Sequence, residues 1–159
     1  MLPIAPLMIS LLTAGPVIPQ GQIPRAPVEL VREFLTLQHP DARKLRTYVS
    51  EDVVWEGTGI TAPRVGPEAL AEMLGDADAM MPDARYEIVS VAADGDRVFA
   101  ETLTTGTIRS APKNVPASVV GRAVNLRTVN VFEVRDNRIH HVTAFFDILA
   151  YWRQLGIKG

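Results

Sequence analysis

The sequence contains no cysteine. That excludes a disulfide framework, a thiolate nucleophile and a cysteine-ligated metal. It carries no information about compartment. Charge of one sign is also lacking. The net charge is −2, Arg and Lys are scattered, and no basic block interleaves with the aromatic residues, which are only 6% of the 159-residue chain. Nucleic acid is therefore not an expected partner. Histidine is scarce: His39, His140 and His141 have no metal-ligand spacing. Neither a metal nor another cofactor is expected. No apolar run is long and unbroken enough to span a bilayer, so no membrane is expected either.

Residues 1–24 lack any charged side chain, and residues 4–12 are mostly apolar. This resembles the apolar region of a signal peptide. Against that, no Lys or Arg precedes it, and Pro3, Pro6 and Pro16 interrupt it. Two readings of residues 1–26 stay open: a Pro-rich arm packing on the body or a partner subunit, or a signal segment. The expected compartment is the cytoplasm, with export the alternative if the arm is a signal peptide.

What is present is a globular body. Apolar residues make up 47% of the chain and charged residues 21%, enough for one domain with a real core, over residues 27–159. Pro27 suits a first helical turn, with Val28, Val31, Phe34 and Leu35 on one face. His39-Pro40 stops that helix, and Asp41 can cap a short second one with Leu45, Tyr48 and Val49 inward. A strand over residues 53–56 precedes a Gly/Pro loop. Gly66-Pro67-Glu68 opens a third helix, which Met80-Met81-Pro82 ends. Period-two patterning then takes over in strands over residues 84–93, 97–110, 122–135 and 138–147, with turn signals at Asp94-Gly95-Asp96 and Asp136-Asn137. A helix over residues 148–155 closes the chain, with Gly156 as its C-terminal cap. Helices first and hairpins after them predict an α+β fold. It is a cone-shaped, curved antiparallel sheet with the N-terminal helices packed over it, enclosing a pocket.

Strand alternation picks out the polar residues of that pocket. Along residues 124–134 the even face is the more apolar, so Thr128 and Asn130 point toward the core. The Asn130 amide is either satisfied by backbone or water, or is a donor for a ligand carbonyl or oxyanion. Thr102 and Thr104 share a face of the preceding strand, as β-formers or as a neutral polar wall. Trp55, Phe34 and Phe146 add apolar surface. In the last strand the periodicity does not decide which face is inward, so His140 and His141 stay unassigned. Asp147 is read as the N-cap of the closing helix, with a catalytic carboxylate at the pocket mouth as the alternative.

Several stretches resemble the nuclear transport factor 2-like superfamily: EDVVW before the Gly/Pro loop, VGPEAL, NVFEVRDNRI and AFFDILAYWRQLG. The likeness covers about residues 27–157. It implies the cone-shaped α+β fold, often as a homodimer, but no single function. Three enzyme branches offer catalytic residues for comparison. TTGT, VPASVVGR and RQLG resemble polyketide cyclases of the SnoaL type. Their acid–base Asp falls on Ala144, and the His that often follows TGT falls on Ile108. YVSEDVVW and FFD resemble limonene-epoxide hydrolases. Their Asp-Arg-Asp set falls on Thr104, Thr102 and Ala144, and their water-holding Asn on Gly57. APRVG and TAFF resemble ketosteroid isomerases. Their general base falls on Gly57, their oxyanion-hole Tyr on Phe34, and their second donor on Asn130, which still donates.

The scaffold therefore matches while the catalytic acids of all three branches are replaced. One expectation is a cofactor-independent enzyme on a small lipophilic substrate, of isomerase, epoxide hydrolase or cyclase type. It would use Asn130 with Asp147 or His140, and Trp55, Thr102, Thr104, Thr128, Phe146 and Phe34 as the ligand lining. A second is a non-catalytic binder of small apolar or partly polar molecules. A third is a dimeric accessory subunit using the outer sheet face of Arg127, Val129, Val131 and Glu133.

Overall fold

A computed structural model describes residues 25–112 and 115–157. The Pro-rich arm lies outside the described residues, apart from Arg25 and Ala26. Helix α1, Pro27–Leu35, starts on a proline whose missing N–H costs nothing in the first turn. It buries Leu30, Val31 and Phe34. Helix α2, Ala42–Leu45, is capped by Asp41, whose carboxylate accepts from the Lys44 N–H at 2.7 Å. Helix α3, Gly66–Met80, begins with Gly66 at φ 85°, followed by Pro67 and the first-turn acid Glu68. Arg46 ties these parts together by pairing with both Glu51 and Glu68.

Six strands form: β1 Val49–Gly57, β2 Arg64–Val65, β3 Arg85–Asp94, β4 Arg97–Thr107, β5 Ala123–Arg135 and β6 Arg138–Phe145. Five match the strands expected from the sequence, and β2 is a two-residue strand inside the stretch expected to be the Gly/Pro loop. All six lie in one sheet in the order β2-β1-β6-β5-β4-β3. Helix α4, Ile148–Leu155, ends at Gly156 in the left-handed conformation with φ 72°. The expected α+β architecture is present, with one difference in the sheet. It is mixed, because β1 lies parallel to β6 while the other pairings are antiparallel. The helix α3 connection after β1 and the late return of β6 permit this parallel neighbour, and no hairpin links the two. Strand β1 also starts four residues earlier than the pattern suggests, at Val49.

The sheet's even face on β5 is inward, as the alternation predicts: Val124, Asn130, Phe132 and Val134 are buried. Phe132 meets Phe34 of α1 and Trp55 of β1 with ring centroids 6.0 and 6.4 Å away. This three-ring cluster holds the first helix on the sheet, and its Phe34 and Trp55 rings make one wall of the hollow between the layers. The outer face carries the Arg127–Glu101 ion pair and exposed Phe99, Val129 and Phe145. Val131 and Glu133 on that face are half-buried. Among the described residues, no helix is long and apolar enough to cross a membrane.

Candidate functional site

The hollow between sheet and helices is a cavity of about 580 Å³. Its floor comes from β4 and β5, which place Thr102, Thr104, Leu126, Thr128 and Asn130 side by side. Register explains the grouping. Thr102 pairs with Thr128 across the strands, Thr104 with Leu126, and Asn130 with Ala100. Phe34, Trp55 and Phe146 form apolar walls, and Met73, Leu74 and Ala77 of α3 cover the top. All six residues expected to contact a ligand therefore line one space.

Asn130 is 5% exposed, and its Nδ2 donates to Thr102 Oγ1 at 3.5 Å. That bond is long for an amide donor and leaves the second N–H of the amide free for a ligand. Thr102, having accepted, still has its own hydroxyl proton to donate.

The structure does not bring His140 or Asp147 to this cavity. Asp147 accepts from the Ala150 N–H at 2.9 Å and caps α4, the first of the two roles the sequence allowed it. His140 stands 3.7 Å from Asp52, outside the cavity lining. A register shift between β5 and β6 lies behind this placement. Glu133 pairs with His141 but Val134 pairs with Ile139, so His140 is the extra residue of a bulge. Ile139 and Val142 are consequently both buried, and simple alternation fails along this strand. His141 pairs with Glu56 at 3.1 Å. Among the described residues, no group of three or more His, Asp or Glu could hold a metal ion.

Sequence reasoning missed the rim. His39, read only as a helix stop, accompanies Asp78 at the cavity mouth with Nδ1 2.5 Å from Oδ2. Tyr86 and Tyr151 also reach the lining. Burial pushes the Tyr86 hydroxyl up from its ordinary value, and the Asp78 charge adds to the shift. Burial alone raises Tyr151. Both phenols are hydrogen-bond donors at neutral pH. The partners His39 and Asp78 are 39 residues apart in sequence, so no local spacing could have announced them.

The family described as SnoaL-like domain matches residues 31–142. The chain belongs to the SnoaL-like domain family. No curated protein matches the sequence. Among solved structures, a SnoaL-like polyketide cyclase from Agrobacterium tumefaciens str. C58 is similar at TM-score 0.67 and 26% identity, over 83% of this chain and 99% of that one. An LEH-like epoxide hydrolase from M. tuberculosis is similar at TM-score 0.61 and 25% identity, over 81% of this chain and 88% of that one. A protein assigned as a SnoaL-like polyketide cyclase from Jannaschia sp. CCS1 reaches TM-score 0.72 at 20% identity, over 87% of this chain and 100% of that one. At that identity the likeness is one of fold alone. These neighbours agree with the nuclear transport factor 2-like resemblance. In this SnoaL-like domain the two positions where the related branches would place an acid or amide, Gly57 and Ala144, are direct partners across the parallel β1–β6 pairing.

Proposed function

We propose that this SnoaL-like domain acts on a small, mostly apolar molecule bearing a carbonyl, hydroxyl or epoxide oxygen. It does so as a cofactor-independent enzyme of isomerase, epoxide hydrolase or cyclase type. The observation that carries the reading is Asn130: a buried amide on the cavity floor whose one hydrogen bond is long. A buried donor with spare capacity in an apolar hollow stabilises an oxygen that arrives without its own water. Thr102, Thr104 and Thr128 extend a neutral polar strip beside it, while Trp55, Phe34 and Phe146 accept the apolar part.

The test compares 2-acetylnaphthalene with 2-isopropylnaphthalene, which has nearly the same shape and no acceptor. Asn130→Ala is expected to weaken the ketone about tenfold, roughly 1.4 kcal/mol, and leave the hydrocarbon unchanged. Equal effects on both ligands, or none, would reject Asn130 as the donor. The replacement of acids at Gly57 and Ala144 favours a second reading, a binder without turnover. Mass spectrometry of ligand retained by the purified protein separates the two, since a chemically altered ligand rules out the binder.

A further inference from the structure

The sheet positions where the resemblance puts catalytic acids, Gly57, Thr104, Asn130 and Ala144, hold no acid here, yet a histidine–carboxylate pair stands on the helical side of the same cavity. His39 lies in the loop after α1, and Asp78 lies in the last turns of α3. Their side chains meet at 2.5 Å, and both line the cavity. His39 also has φ 45°, a left-handed backbone that non-glycine residues seldom adopt. Such conformations persist only where the surroundings hold them, and they gather at functional sites. The imidazole is 68% exposed and the carboxylate 21%. An exposed histidine–carboxylate pair contributes little to stability, so a merely structural pin is a poor reason for that backbone.

We infer that His39 is a general base at the cavity rim, with Asp78 as its positioning residue. This inference rests on the reading of the cavity as a site for a small apolar molecule whose oxygen reaches Asn130. The carboxylate occupies Nδ1, which leaves Nε2 as the nitrogen for the bound molecule. Nε2 takes a proton from carbon, and the C–H electron pair moves into the molecule. Negative charge gathers on an oxygen that accepts a hydrogen bond from the Asn130 N–H. The Asp78 carboxylate stabilises the imidazolium that forms, and the exposure of the His39 imidazole lets the proton return to product or leave to water. Tyr86, kept protonated by burial and by Asp78, supplies a second donor at the rim.

The probe is 5-nitrobenzisoxazole, with the full chain. Removal of its C3 proton forms the nitrile from the C–H pair, the N–O bond breaks, and a coloured phenolate carries the charge away. No co-reactant is needed. The wild type is expected to convert it with saturation, about 100-fold faster than buffer. His39→Gln should bring the rate down to about that of buffer, while binding of the probe, followed by tryptophan fluorescence, is little changed. Asp78→Asn should lose at least about tenfold in kcat with KM little changed, and Asp78→Glu should recover most of that loss, as a residue that positions the imidazole requires. Tyr86, Glu87 and Tyr151 are the other titratable residues lining the cavity besides His39 and Asp78, and Asp41, Arg43 and Lys44 line a second, smaller depression together with His39. The double variant should lose no more than His39→Gln alone. Undiminished conversion by a folded His39→Gln, or a wild type that saturates with probe but is no faster than buffer, would overturn the inference. A failure of the cavity reading looks different: His39-dependent conversion would persist while 2-acetylnaphthalene fails to bind.

Discussion

Asn130 on β5 stands directly opposite Ala144 on β6, and both line the cavity. Ala144 is 7% exposed. Ala144→Asp would set a carboxylate beside the Asn130 amide, in the place where the resemblance to SnoaL-type cyclases puts an acid. Apolar surroundings disfavour the charged form and raise the pKa of the new group. The ionised carboxylate therefore destabilises the fold at neutral pH, by about 1–3 kcal/mol, and the loss shrinks as falling pH protonates it. Urea unfolding at pH 7 and pH 5 measures this. A deficit equal at both values would mean that the carboxylate is solvated.

Gly57 is the β1 partner of that same alanine. Its φ is 136°, and a Cβ there would lie 2.1 Å from the Ala144 carbonyl oxygen and 2.6 Å from its nitrogen. These are backbone atoms in a paired strand and cannot swing aside. Gly57→Ala should cost about 3 kcal/mol and separate the end of the β1–β6 pairing. The acid of ketosteroid isomerases could not be restored at this point without moving the strands. Thermal unfolding within about 2 °C of the wild type, against the several degrees per kcal/mol typical of such domains, would refute the clash.

The acid side of the stability profile should depend on Asp83. Its carboxylate accepts from the Thr107 N–H at 2.8 Å and pairs with Arg109 at 3.2 Å, joining the turn after α3 to the end of β4. The backbone hydrogen bond from Thr107, with a smaller contribution from Arg109, holds Asp83 below the usual carboxylate range. A lowered folded-state pKa means stability that is complete above the unfolded value, about 3.9, and lost as pH falls through the folded one. Asp83→Asn should lower stability at neutral pH and flatten the decline below about pH 4. Urea midpoints across that range decide it, and an equally steep decline in the variant would count against the assignment.

Much of this arrangement was legible in local sequence because its causes are local. Pro27 opens a helix, Asp41 and Asp147 cap helices, and Gly156 closes one. Asp136 and Asn137 both take positive φ, at 49° and 57°, as a tight two-residue hairpin requires. Alternation along β5 alone placed Thr128 and Asn130 inward, because that strand's face is apolar enough to outvote its polar members.

Local reading stopped where a partner strand or a distant loop decides. Periodicity does not decide the faces of the last strand because one residue, His140, bulges out of the ladder and shifts the faces on either side of it. Asp147 is an acid beside the strand that lines the site, but the first turn of α4 takes its carboxylate as a cap.

By itself, then, the amino-acid sequence determined the elements apart from the two-residue strand β2, their caps and turns, the inward face of the longest strand and the neutral polar strip of the pocket. These follow from backbone preference and from a two-residue repeat, which neighbouring residues settle among themselves. Tertiary structure alone decided that β1 lies parallel to β6, so that Gly57 and Ala144 meet. It alone decided that His140 leaves the cavity and that His39 finds Asp78. The physical reason is the same in each case: pairing register and helix docking are set by contacts between segments far apart in the chain, and no spacing within either segment records its partner.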